Sequence, residues 1–237
     1  MARIILIHGA WGRASGWGAL VPLLTAAGHS VEALDLPGHG TSEIPAATVG
    51  QADYVDAVER RLMQGAPAML VGHSMGGIVV AQVAARRPEQ VTKAVFVAAL
   101  LPRDGESLLD LIKQQDAPGV QAAVRPGPEK GTTVLDPAAA AVLFPDATPR
   151  QAEGAMAYMV PQSNRAQVDK AVIGPGFARV PRAYVLCTED QVVTPPLQRQ
   201  MIAATPCEAV FELTCGHVPQ LTQPKALAAI LIGLADS

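Results

Sequence analysis

Ala66-Pro67-Ala68-Met69-Leu70-Val71-Gly72-His73-Ser74-Met75-Gly76-Gly77 decides the reading of this chain. The apolar run Ala68–Gly72 has strand character, and Gly77–Arg87 has the apolar spacing of a helix. Between them a turn places one serine with a glycine two residues before it and another two residues after. This is the G-x-S-x-G elbow in its required strand–turn–helix setting. The glycines permit a tight bend without a Cβ clash, so Ser74 Oγ stands exposed at the carboxyl edge of a sheet. The first amides of the following helix point to where negative charge would develop.

Outward from this point, further strands are expected at Arg3–His8, Ser30–Leu36, Ala94–Leu100, Ala183–Thr188 and Ala209–Leu213. Several are continuous apolar runs, as in parallel strands covered on both faces. Helical patterns fall between them, at Ser15–Ala27, Val49–Gln64, Pro196–Ala203 and Gln220–Ala235. The alternation predicts an α/β fold, with a doubly wound, mostly parallel six-stranded sheet. It breaks once. Between Leu100 and Ala183 lie about eighty residues with helical pieces at Ser107–Ile112 and Thr148–Tyr158, Pro- and Gly-rich joints and no convincing strand. A connection of that length in one domain is usually functional, and its apolar content favours a helical cap. The expected division is a core of residues 1–102 and 181–237 with a cap insertion of residues 103–180.

Composition narrows the function classes. The chain has 237 residues, 49% of them hydrophobic and 16% charged, which suits one core-rich domain rather than a disordered segment. A net charge of −3 leaves no basic surface for nucleic acid. No window approaches the roughly eighteen apolar residues of a membrane span, and the start, Met1–His8, is too short an apolar run for a signal peptide. Cys187, Cys207 and Cys215 have neither metal-ligand spacing nor a disulfide pattern. The expectation is a cytoplasmic protein without a bound metal, acting on a small molecule; a homodimer is compatible with it. No G-x-x-x-x-G-K-[ST] loop is present, which excludes the usual nucleotide-phosphate cradle.

A serine hydroxyl needs a base to take its proton and a third group to orient that base. In elbow-type hydrolases the order along the chain is Ser, then Asp or Glu, then His. Of five histidines only His217 follows Ser74, and it sits in a loop just past the last strand. The acid is expected after an intermediate strand, where Thr188-Glu189-Asp190 offers two carboxylates. Asp190 is the choice, with Glu189 turned elsewhere. Asp104 is an alternative acid, and Asp35 is assigned to ordering the turn Leu36–Gly40. The oxyanion donors are expected to be the backbone N–H groups of Met75 and Ala10, with Gly9 permitting close backbone approach. Gly9, Trp11, His73, Leu101, Met156, Tyr158 and Val218 are the expected pocket lining.

His8-Gly9-Ala10-Trp11, Asp35-Leu36-Pro37-Gly38-His39-Gly40, Gly72–Gly77, Cys187–Asp190 and Gly216-His217 together resemble the α/β-hydrolase superfamily along the whole chain. The opening at the His-Gly strand, and Thr188-Glu189-Asp190 followed by Gln198-Arg199-Gln200-Met201, are similar to one branch. That branch holds plant methylesterases, hydroxynitrile lyases and bacterial pyrethroid-type carboxylesterases. The resemblance implies a Ser74–Asp190–His217 triad, no cofactor, and a cap that shapes the pocket. Hydroxynitrile lyases of this kind carry Thr in place of Gly9 and Lys in place of Val218, so the lyase reading is disfavoured. Methylesterases usually have a second His where Gly12 stands and Asp where Gly216 stands. These departures favour the carboxylesterase side. The leading expectation is a serine hydrolase that cleaves esters of small hydrophobic substrates through an acyl-enzyme. A thioesterase, a lactonase, a C–C hydrolase and a non-catalytic small-molecule receptor stay open.

Overall fold

A computed structural model describes all residues, Met1–Ser237. β1 (Arg3–Ile7), β2 (Ser30–Leu34), β3 (Ala68–His73) and β4 (Val91–Val97) come from the first half of the chain. β5 (Val124–Pro126), β6 (Thr132–Leu135) and β7 (Gln162–Ser163) are short, and β8 (Arg182–Cys187) and β9 (Ala209–Leu213) close the series. Six of them form one parallel sheet in the order β2-β1-β3-β4-β8-β9. β3, which carries the elbow serine past its end, is therefore an inner strand.

Alternation along each strand divides the core in two. Ile5, Ile7, Leu70 and Phe96 belong to a cluster of 41 buried residues that includes the helices Gln51–Leu62 and Gly76–Arg86. Ile4, Leu6, Met69 and Val97 face the other way, into a cluster of 19 with Trp17, Leu20 and Leu231. Each fully buried aliphatic side chain contributes about 1.5–3 kcal/mol, so the sheet is anchored on both faces. In the helix Gly76–Arg86 every residue from Gly76 to Ala84 is buried, which is why its sequence reads apolar all round.

Some expected boundaries move. β4 ends at Val97 rather than Leu100, because the chain turns at Ala98 (φ +44°) and Leu100 N–H donates to Ser74 O at 3.0 Å. The first helical stretch splits into a 3-10 turn, Ala14–Trp17, and a helix, Leu20–Ala26. The last splits into Pro219–Thr222 and Pro224–Asp236, since Pro224 has no N–H to continue the first piece and drives Gln223 out of helical geometry (φ −132°).

The insertion between β4 and β8 needs a correction. It contains the helices Leu108–Ile112, Pro149–Ala157 and Asn164–Val168, and also a three-stranded antiparallel sheet in the order β5-β6-β7. The joint Pro126-Gly127-Pro128 lies in a hairpin, with Gly127 N–H donating to Thr132 O at 2.9 Å. Strands of two to four residues are too short to show an alternating pattern. Leu108, Leu111, Leu143, Phe144 and Phe177 from the insertion are buried in the larger core cluster. No helix of the protein is long and apolar enough to cross a membrane.

Candidate active site

β3 delivers Ser74 to the carboxyl edge of the sheet in a left-handed backbone conformation, φ +54°. For a non-glycine residue this is strained, and it persists only where the surroundings fix it. Two close approaches fix it here. A Cβ on Gly76 would lie 2.5 Å from Ile7 O, and one on Gly72 would lie 2.6 Å from the carbonyl carbon of Gly76. Strand and helix can thus meet across the bend only as glycines.

Ser74 Oγ lies 3.0 Å from His217 Nε2, and His217 Nδ1 lies 2.8 Å from Asp190 Oδ2. Both partners are buried. The Asp190 carboxylate accepts from Nδ1–H, which leaves the Nε2 lone pair to accept the serine proton. Asp190 Oδ1 in turn accepts from Val192 N–H at 2.7 Å and Val193 N–H at 3.0 Å. The buried Gln198 side chain donates to Asp190 Oδ2 (3.3 Å), Val193 O (2.7 Å) and Cys187 O (3.2 Å). Its oxygen accepts from Cys187 N–H at 3.2 Å. Gln198 therefore ties the end of β8 to the loop that carries the carboxylate.

Two other histidines crowd the site without joining this chain of bonds. His73 Nε2–H donates to His217 O at 2.8 Å, and burial together with the neighbouring His217 lowers its pKa from 6.5 to about 3. His8 accepts from Leu36 N–H at 3.2 Å and donates through Nδ1 to Gly9 O at 2.8 Å; burial lowers its pKa to about 3 as well. Both are neutral near pH 7, so neither competes with His217 for a proton.

The N–H groups of Ala10 and Met75 enter no main-chain hydrogen bond. Trp11, next along the chain from Ala10, is held tightly. Its backbone is also left-handed (φ +56°), its N–H donates to Gln162 Oε1 at 3.2 Å, and its carbonyl accepts from Val160 N–H at 3.0 Å. Its indole donates to Thr133 O at 3.2 Å. Every one of those partners comes from the insertion.

Two cavities, of about 530 and 360 Å³, reach Ser74, and both touch Ala10, Trp11, Val120 and Val192. Of the residues expected from sequence to form a pocket, Gly9, Trp11, His73, Tyr158 and Val218 line the larger cavity. Leu101 and Met156 line neither, which corrects that expectation. Leu101 is buried, with its N–H directed at Met201 Sδ (3.3 Å), and Met156 packs against the core. Leu100 takes a place in the smaller cavity instead. Neither cavity is lined by a lysine. Glu189 is exposed; Asp104, also exposed, accepts from Ile173 N–H. Asp35 accepts from Ala14 N–H, Thr41 N–H and Thr41 Oγ–H, which orders its own turn. No group of three or more His, Cys, Asp or Glu side chains could hold a metal ion.

Gln198 and Gln162, and the cavity-lining Arg13, Trp17 and Gln220, are not among the residues the sequence points to. The available signal was a polar side chain at an inward helical position, as with Gln198 between buried Leu197 and Met201.

Comparison with known proteins gives a consistent answer. Residues 4–230 match the Alpha/beta hydrolase family. Methylesterase 2 of Arabidopsis thaliana is 28% identical over 254 residues, covering 99% of this chain and 96% of the relative. Esterase PIR7B of Oryza sativa subsp. japonica is 29% identical, with the same coverage. Among solved structures, a pyrethroid hydrolase from Sphingobium faniae JZ-2 superposes with a TM-score of 0.88 at 26% identity, over 100% of this chain and 98% of that one. Polyneuridine aldehyde esterase superposes with a TM-score of 0.87 at 25% identity, over the full length of both chains.

Proposed function

The chain belongs to the alpha/beta hydrolase family, and on that premise we propose that it hydrolyses carboxylic esters with apolar bodies through an acyl-enzyme formed on Ser74. The observation that carries this reading is the continuous bond path Ser74–His217–Asp190, at 3.0 and 2.8 Å, opening onto two largely apolar chambers. The relatives named as methylesterases and the neighbour named as a pyrethroid hydrolase support the same bond class.

In this reading His217 takes the proton of Ser74 as Oγ attacks the ester carbonyl, and Asp190 holds the imidazole tautomer and balances the imidazolium. The N–H groups of Ala10 and Met75, free of other acceptors, bind the developing oxyanion. The Gly76–Arg86 helix directs its positive end at the same point. His217 then hands the proton to the departing alkoxide, and water repeats the cycle on the acyl group. The acyl and alcohol parts of the ester occupy the two chambers that share Ser74 in their walls. Residues 103–180 serve as the cap that shapes those chambers, over a core of residues 1–102 and 181–237. We infer a cytoplasmic setting from three cysteines that form no disulfide.

A series of p-nitrophenyl esters from acetate to decanoate, given to wild type and Ser74→Ala side by side, tests the proposal. Wild type turns over the series with a chain-length optimum, and Ser74→Ala loses a factor on the order of 10⁴–10⁶ in kcat. Equal turnover by the two proteins would refute it.

A further inference from the structure

The larger cavity is unevenly equipped. No aspartate or glutamate lines it, yet Arg13 and Arg150 both do, in a chain whose net charge is −3. Neither arginine forms an ion pair or donates a hydrogen bond within the protein. The Arg13 guanidinium stacks 5.5 Å from the centroid of the Tyr158 ring, which holds it at the cavity wall without using its N–H groups.

Six buried side-chain polar atoms in the whole protein lack an intramolecular partner, and three belong to residues that line this one cavity. They are Arg13 Nε, Trp17 Nε1 and Gln220 Oε1. Buried polar atoms left unpaired are destabilising, and half of those in the protein belong to residues along this one cavity. The guanidinium groups of Arg13 and Arg150, by contrast, line the cavity and have no protein acceptor for their N–H groups. Their natural complement is a planar, doubly accepting anion, which a guanidinium recognises better than any other side chain.

We propose that this wall is a carboxylate-recognition subsite, and that the preferred substrate is an ester carrying a second, free carboxylate, such as the half-ester of a dicarboxylic acid. Arg13 donates to the carboxylate oxygens through its guanidinium N–H groups, and Arg150 at the exposed rim adds charge. The assignment rests on the ester-hydrolase reading above and adds the charge of the substrate to it.

The test pairs mono-p-nitrophenyl esters of dicarboxylic acids, from succinate to sebacate, with p-nitrophenyl alkanoates of matched length. It uses wild type, Arg13→Met and Arg13→Gln, and reads the ratio of kcat/KM between the members of each pair. In wild type one chain length favours the charged member about tenfold or more, as a charge-assisted hydrogen bond gives. Added salt erodes the ratio, and both variants bring it near unity while their melting temperatures stay close to wild type. A wild-type ratio near one, or an unchanged ratio in both variants, overturns the proposal. Calorimetric titration of Ser74→Ala with the unhydrolysed pair separates the two readings. Arg13-dependent preference in binding without any wild-type turnover would retire the esterase reading and keep the subsite. Turnover without preference would do the reverse.

Discussion

Asp190 has every acceptor direction occupied: two backbone N–H groups on one oxygen, His217 and Gln198 on the other. Its replacement by Asn would offer an N–H where His217 Nδ1–H needs an acceptor and so favour the wrong tautomer. Asp190→Asn is therefore expected to lower kcat by about 10⁴ with little change in KM, as steady-state kinetics on one ester will read. Gln198 acts one step further out. Gln198→Leu strands Cys187 N–H and Val193 O in a dry interior, at about 1–3 kcal/mol for each group left unpaired, and leaves Cys187 O only the N–H of Asp190 at 3.4 Å. A lower melting temperature together with a lower kcat is expected; loss of stability alone would limit Gln198 to packing. At this scale the sequence was legible where order along the chain constrained it, as for Ser74 and the one histidine after it. Gln198 and Gln162 were not legible, because glutamine carries no chemistry of its own and its importance here comes from partners 5 to 151 residues away in sequence.

Between β3 and the helix Gly76–Arg86, geometry depends on the absence of side chains as much as on their presence. Gly76→Ala places a methyl 2.5 Å from Ile7 O, so β1 and the elbow helix must separate. The expected outcome is a destabilisation of at least about 1–3 kcal/mol in denaturant unfolding, with activity falling faster than folded fraction because Ser74 and Met75 move with the helix. An unchanged protein would mean the elbow is looser than these contacts imply. The six sheet strands were readable because parallel strands covered on both faces are written as apolar runs. The small sheet β5-β6-β7 was not, since its strands are too short to show a period. Nor was the break at Gln223 expected within Gln220–Ala235, because the apolar pattern runs on through a proline that the backbone cannot follow.

The molecule as a whole buries more imidazole than it can charge. His8 and His73 have their pKa lowered from 6.5 to about 3 by burial, and burial lowers that of His39 too. Below pH 6.5 the unfolded chain takes up protons that the folded chain refuses until about pH 3, so stability is full above that window and is lost as pH falls through it. Melting temperature is expected to be flat between about pH 7 and 8 and to decline steadily from about pH 6 to 4. In His73→Gln the decline is shallower; an identical slope would show that other groups set it. The insertion was legible as a single long gap in an alternating pattern, whereas its grip on Trp11 was not, because three bonds from Gln162, Val160 and Thr133 meet that residue only in the fold. The central prediction is that Ser74 forms a covalent acyl intermediate. Treating the protein with a fluorophosphonate and mapping the adduct by peptide mass spectrometry tests that most directly. One adduct per chain on the peptide carrying Ser74, with activity lost in proportion, is the predicted result; no adduct, or one on another residue while turnover continues, would contradict it.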